Sequence, residues 1–173
     1  MILWQWVDRP GHEASRLSGT SLEGASVFAH QGAPVSLAYS IVCDSSWRTL
    51  SANVRGFIGP RPVDVSIIAG DPWLLNGEEQ RQVAGCIDID LNFSPVTNLL
   101  PIRRLGLPVG EEAAVRAAWL RFPSMLLEPL EQTYRRLSPD LYRYTSAGGA
   151  FTADLRVNEE GWVVDYPGVW TAV

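Results

Sequence analysis

Hydrophobic and polar residues alternate along most of this chain. In FTADLRVN, Phe151, Ala153, Leu155 and Val157 fall on one side of an extended backbone and Thr152, Asp154, Arg156 and Asn158 on the other, the period of a half-buried strand. PVSLAYSIVC repeats the pattern with Val35, Leu37, Tyr39 and Ile41 against Ser36, Ala38 and Ser40. VDVSIIAG and CIDIDLNF are shorter runs of the same kind, rich in β-branched residues. Turn-forming clusters (DRPG, LSGTS, CDSS, FIGPRP, NGEE, SAGG and NEEG) separate the runs at short intervals, which suits a meander of antiparallel hairpins.

About ten or eleven strands are expected on this basis, with few short helices or loops. GEEAAVRAAWLR, residues 110–121, has the glutamates and alanines of a helix, yet Val115, Ala117 and Trp119 alternate with Arg116 and Ala118. A strand from Val115 is the reading taken. A sheet of that many strands twists and curls, so the chain is expected to be mainly β: one large, strongly curved antiparallel sheet, a half-barrel with a concave interior. Residues 1–173 are read as a single domain, with no linker, low-complexity tract or repeat. Seven tryptophans, Trp4, Trp6, Trp47, Trp73, Trp119, Trp162 and Trp170, supply large apolar surface to its core or its hollow.

Composition supports folding, with 46% hydrophobic and 19% charged residues. A net charge of −5 disfavours nucleic acid as a partner. All 14 basic residues are arginine, a pattern read as coding bias because they are spread along the chain. Cys43 and Cys86 fit neither a disulfide framework nor a zinc motif and are read as buried thiols, one on each of two strands. The opening MILWQWVDRPGHE lacks the basic start of a signal peptide, and nowhere do about 18 apolar residues run together, so no membrane span is expected and a cytoplasmic location is.

The chemistry concentrates in one stretch. On a strand through CIDIDLNF, Cys86, Asp88, Asp90 and Asn92 share a face, with successive side chains about 7 Å apart. A dozen residues later SPVTNLLPIRRLGLP brings Arg103 and Arg104, either of which could pair with Asp88 or Asp90. Read as strand, adjacent arginines face opposite sides, so one at most lines a pocket and its neighbour anchors the fold. Thr97 and Asn98 add hydroxyl and amide groups suited to a sugar or headgroup. In VVDYPGVW, Asp165 and Tyr166 form a further candidate pair, and one of the two arginines is the obvious partner for Asp165. His12 could pair with Glu13, but PGHEASRL also reads as an exposed turn, and neither a nucleophile elbow nor a phosphate loop nor a dinucleotide fingerprint is present. No catalytic residue, cofactor or metal is assigned.

CIDIDLNFSPVTNLLPIRRLGLPVGE and VVDYPGVW, together with WVDRPGHEASRL, CDSSWRT and VRAAWLRFPS, resemble the bacterial putative glycolipid-binding family over most of the chain. The matching motif positions are Cys86, Asp88, Asp90, Thr97, Asn98, Pro101, Arg103, Arg104, Asp165, Tyr166 and Gly168. The chain departs from the family pattern at Leu99, where threonine is suggested, and at Asn92, where glycine or serine is commoner; neither change removes a charge. The resemblance implies a highly curved antiparallel sheet like the lipoprotein carriers of the Lol type, small elements filling its concavity, and binding of a glycolipid-like amphiphile. The expected function is therefore a binding protein whose curled sheet holds such an amphiphile, with an arginine and Asp88, Asp90 and Asn98 at the polar head. Two alternatives stand beside it. One is a hydrolase or isomerase working through Asp88, Asp90 or Asp165. The other is an interaction protein whose charged motif is a buried ion-pair network.

Overall fold

The alternating runs all become strands of one sheet. The computed structural model describes residues 1–173. In chain order the strands are β1 (Ile2–Trp6), β2 (Gly11–Ser18), β3 (Ser21–His30), β4 (Ala33–Cys43), β5 (Thr49–Ile58), β6 (Arg61–Ile68), β7 (Leu74–Leu75) and β8 (Glu78–Glu79). They continue with β9 (Asp88–Leu91), β10 (Glu112–Arg121), β11 (Leu126–Ser138), β12 (Leu141–Ser146), β13 (Phe151–Val157), β14 (Val163–Tyr166) and β15 (Trp170–Ala172). The first strand lies in the middle of the sheet, paired with the last. From β1 the chain steps outward to β8 at one edge, crosses to β9 at the other, and steps inward through β10 to β15. Every ladder is antiparallel except β9 with β10.

The 15 strands exceed the ten or eleven expected because β7, β8, β14 and β15 are only two to four residues long, too short to display a period. Residues 112–121 are strand, as Val115, Ala117 and Trp119 predicted. In β4, Val35, Leu37, Tyr39 and Ile41 are all buried on one face.

The sheet curls without closing. Its two halves meet where Thr49 N–H donates to Ile87 O at 3.3 Å and Ile89 N–H donates to Thr49 Oγ1 at 3.0 Å. One hydrophobic cluster joins Val35, Leu37 and Ile41 of β4, Val54 of β5 and Val65 and Ile67 of β6 to Ile89 and Leu91 of β9 and Leu120 of β10. The far face of the β9 to β11 region looks into a second cluster, which gathers Val115, Tyr134, Tyr142, Tyr144, Leu155 and Val157. Strand β9 is thus covered on both sides, and its two aspartates point away from the larger core.

The single α-helix, α1 (Leu99–Leu105), follows directly on a 3₁₀ turn, Pro95–Asn98. Val96, Leu99 and Leu100 pack into the larger cluster and Ile102 into the second, so this segment fills the space between the two halves. No helix is long and apolar enough to cross a membrane.

Candidate functional site

The arginine segment corrects one expectation, because residues 99–105 are helix and not strand. Ser94 caps the segment by accepting Val96 N–H on its Oγ at 3.1 Å, and Pro95 occupies the first position, where its missing N–H costs no hydrogen bond. Gly106, with φ 54°, ends α1 in the left-handed region, and its N–H returns to Ile102 O. On a helix adjacent side chains diverge by about 100°. Arg104 therefore turns to β9, where Nε meets Asp88 Oδ1 at 3.0 Å and Nη2 meets Asp88 Oδ2 at 2.5 Å. Arg103 turns the other way. Its Nε and Nη2 donate to Glu160 O at 3.0 and 2.7 Å, and its guanidinium lies 4.4 Å from the centre of the Trp47 ring.

The Asp88–Arg104 pair is deeply placed, with side-chain exposures of 2% and 15%. Burial holds the Asp88 carboxyl above its ordinary pKa, although the bidentate guanidinium pulls it down. A pair of this kind fixes geometry more than it adds net stability.

Asp90, one step along the same face, has a different setting. Gln132 Nε2 on β11 donates to Asp90 Oδ2 at 2.6 Å and also to Tyr144 Oη on β12 at 3.0 Å. No cation touches Asp90, and burial pushes its pKa up to about 6 against the pull of Gln132, with the Asp88 charge adding to the rise. Nearby, Tyr134 O–H donates to Asn98 Oδ1 at 2.8 Å, and Asn98 Nδ2 donates to Pro95 O, which ties the 3₁₀ turn to β11.

Asp90 opens onto a cavity of about 400 Å³. Trp6, Trp119, Leu130, Phe151, Val169 and Trp170 form its apolar wall, while Asp90, Asn92, Thr97, Asn98, Tyr144, Ser146 and Tyr166 bring polar groups. Phe151 is exposed at the rim, departing from the buried face that its strand pattern predicts for it. Trp6 and Trp170 pack against each other with ring centres 4.1 Å apart and planes inclined at 36°. Of the binding candidates read from sequence, Asp90, Thr97, Asn98 and Tyr166 line this cavity, together with Asn92 and three of the seven tryptophans. Asp88, Arg103 and Arg104 lie outside it, so neither arginine stands at its polar end. Asp165 is exposed on β14 and pairs with neither arginine. Cys86 precedes β9 and belongs to the larger core, away from the aspartate face. Both cysteines are free and buried, and burial pushes each thiol's pKa up, to about 12 for Cys43 and about 11 for Cys86.

Glu13 overturns its expectation most completely. It lies on β2, not in a turn, and is 1% exposed. Tyr39 O–H donates to its Oε1 at 2.7 Å and Ser94 O–H donates to the same oxygen at 2.5 Å, while Oε2 has no partner. Tyr39 reaches it across Gly24 of β3, where any Cβ would collide with the tyrosine ring. With no cation near, burial raises the carboxyl to about 7. The signal was present in HEASRL, whose alternation sets Glu13 and Ser15 opposite His12, Ala14 and Arg16. It left open which side faced inward, and Ser94, the cap of the arginine segment, supplies the reason for the choice.

These features describe an open, curled antiparallel sheet wrapped on a hydrophobic core and carrying an aromatic-walled cavity. A family model described as "Putative glycolipid-binding" matches residues 1–172, and the chain belongs to that family. The chain is also similar to a solved structure, a DUF1089 family protein from Pseudomonas aeruginosa, with a TM-score of 0.88 and 32% identity over 94% of this chain and 92% of that one. Curated proteins give no match.

Proposed function

We propose that this protein binds one amphiphile, a glycolipid or a molecule like it, in the Asp90 cavity. The observation that carries the reading is the division of the cavity wall, with tryptophan, phenylalanine and aliphatic side chains on one part and Asp90, Thr97, Asn98, Tyr144 and Tyr166 on the other. A cavity of about 400 Å³ is within the range of small-ligand sites, and an apolar wall with a few placed polar groups is their usual chemistry. The family description points the same way. The cavity is too small for a whole lipid, so it takes the head and the first part of a chain.

Hydrolysis of a glycosidic bond fits less well. That chemistry ordinarily uses two carboxyl groups flanking the scissile bond, whereas Asp90 is the one carboxylate lining the cavity. The Asp88–Arg104 pair serves as an anchor holding α1 to β9, so the buried ion-pair reading accounts for that half of the motif and the binding reading for the other. The free thiols of Cys43 and Cys86 support a reducing, cytoplasmic setting.

The test is native mass spectrometry after incubation with a total lipid extract, with melting temperature as second readout. One retained amphiphile per chain, a higher melting temperature and a change in the fluorescence of Trp6, Trp119 and Trp170 are expected. A chain that retains nothing and whose melting temperature stays put overturns the reading.

A further inference from the structure

We propose that the cavity selects its ligand by charge, accepting an uncharged, hydroxyl-rich head and rejecting phosphate, sulfate or carboxylate heads, with Asp90 as the selecting residue. The inference rests on the binding reading above and goes beyond it by specifying the head.

None of the 14 arginines lines the cavity and the chain has no lysine; Arg9 and Arg121 lie against the wall residues Trp6 and Trp119, 4.5 and 5.5 Å from the ring centres, but are engaged by Asp8 and Glu128, so no unpaired cation stands at the wall to neutralise an anion. Arg104 of α1, which reaches the next same-face position along β9, is engaged there by Asp88 through both carboxylate oxygens. The only carboxylate on the cavity wall is Asp90, and an anionic head would meet it in surroundings that screen charge poorly. A hydroxyl group meets the opposite situation. Asp90 Oδ2 is occupied by Gln132, whereas Oδ1 receives no hydrogen bond from the protein and is left to accept one. Tyr144 Oη already accepts from the same Gln132 amide, so its own proton is left to donate. One glutamine side chain thus holds an acceptor and a donor side by side, and a sugar hydroxyl both gives and takes a hydrogen bond. Thr97 Oγ1 accepts Leu91 N–H and likewise keeps its proton for a ligand.

The experiment titrates the full chain at pH 8, by tryptophan fluorescence, with three amphiphiles sharing one alkyl chain: a β-glucoside, the corresponding glucuronide and an alkyl phosphate. The glucoside is expected to saturate, with the two anions weaker by about a hundredfold, as like charges brought together at a binding site require. Asp90→Asn keeps the shape and removes the charge. It is expected to weaken the glucoside by about tenfold, the effect of losing a hydrogen bond to a charged acceptor, and to narrow the gap between the three ligands. Glucuronide or phosphate binding as tightly as the glucoside overturns charge selection and leaves the cavity reading standing. Failure of all three to bind, together with no lipid retained from extract, overturns both. The comparison of glucoside with glucuronide on the unaltered chain decides the matter even where Asp90→Asn folds poorly.

Discussion

Asp88 and Asp90 share one face of one four-residue strand, yet the structure gives them opposite surroundings. Asp88 is sealed beneath α1 and gripped at both oxygens by Arg104. Asp90 is held at one oxygen by a neutral amide and looks into a cavity. The difference originates outside β9, in where the 3₁₀ turn and α1 lie. The segment covers the first aspartate with a guanidinium and offers the second only Thr97 and Asn98. Carboxylate spacing therefore says that two acids face one way; the element laid over them says which becomes an anchor and which can meet a ligand. Glu13 is a third case, with neither a cation nor an opening.

The sharpest way to break the comparison is Arg104→Ala. Leaving Asp88 buried without its cation should cost about 3–5 kcal/mol of unfolding free energy, read by urea denaturation. If Asp88→Leu combined with Arg104→Met restores most of that loss, the pair is an anchor in the sense argued here. If Arg104→Ala is as stable as the parent chain, the anchor reading is wrong.

Glu13 gives the next largest effect. Its folded pKa lies above its ordinary value, so the stability linked to it is fully present below about pH 4.5 and is lost as pH rises through about 7. That rise corresponds to about 3 kcal/mol. Glu13→Gln should flatten the decline in stability between pH 5 and pH 8 by an amount of this order. A pH dependence unchanged in the variant would show that Glu13 ionises without penalty.

Asp90 comes third. As its carboxyl takes up a proton below about pH 6, glucoside affinity should fall several-fold between pH 8 and pH 5, about half to one order of magnitude. The tyrosine hydroxyls facing it do not titrate there, because burial holds Tyr134, Tyr144 and Tyr166 above their ordinary value, and Asp88, whose carboxyl burial also raises, lies outside the cavity and is held by Arg104. Asp90→Asn should make the binding curve flat in pH; a slope that persists would assign it to another group. The smallest effect belongs to Arg103→Ala. Its partners are a backbone carbonyl and a half-buried tryptophan ring, and the loss should be about 0.5–1 kcal/mol with no change in glucoside affinity. A loss as large as that of Arg104→Ala would erase the distinction between the two arginines.

Much of the fold was legible because period-two alternation reports burial directly. Val35 to Ile41 in β4, and Ala153, Leu155 and Val157 in β13, are buried as their pattern predicts. The arginine segment was misread because it is buried from Pro95 to Ile102 and so shows no polar side to reveal a helical period. Its punctuation, Ser94-Pro95 before and Gly106 after, carried the information that the hydrophobic pattern lacked. At the site, the pairing of one arginine with one aspartate was within reach of sequence. The exclusion of that pair from the cavity was not, since it follows from how the 3₁₀ turn and α1 lie over β9, and the groups that hold Asp90 instead, Gln132 and Tyr144, come from the distant β11–β12 hairpin and belong to no motif. Glu13 was hidden for the same reason, its partners Tyr39 and Ser94 being 26 and 81 residues away.

An open sheet of 15 strands has two edges, and each could in principle accept a strand from another molecule. One ends in β8, only two residues long, both of them exposed glutamates. The other ends in β9, where Ile89 N–H is taken by the hydroxyl of Thr49 and Leu91 N–H by that of Thr97. Two threonine side chains thus stand in for a sixteenth strand, and templated growth into aggregates is discouraged at one border by charge and at the other by a counterfeit neighbour.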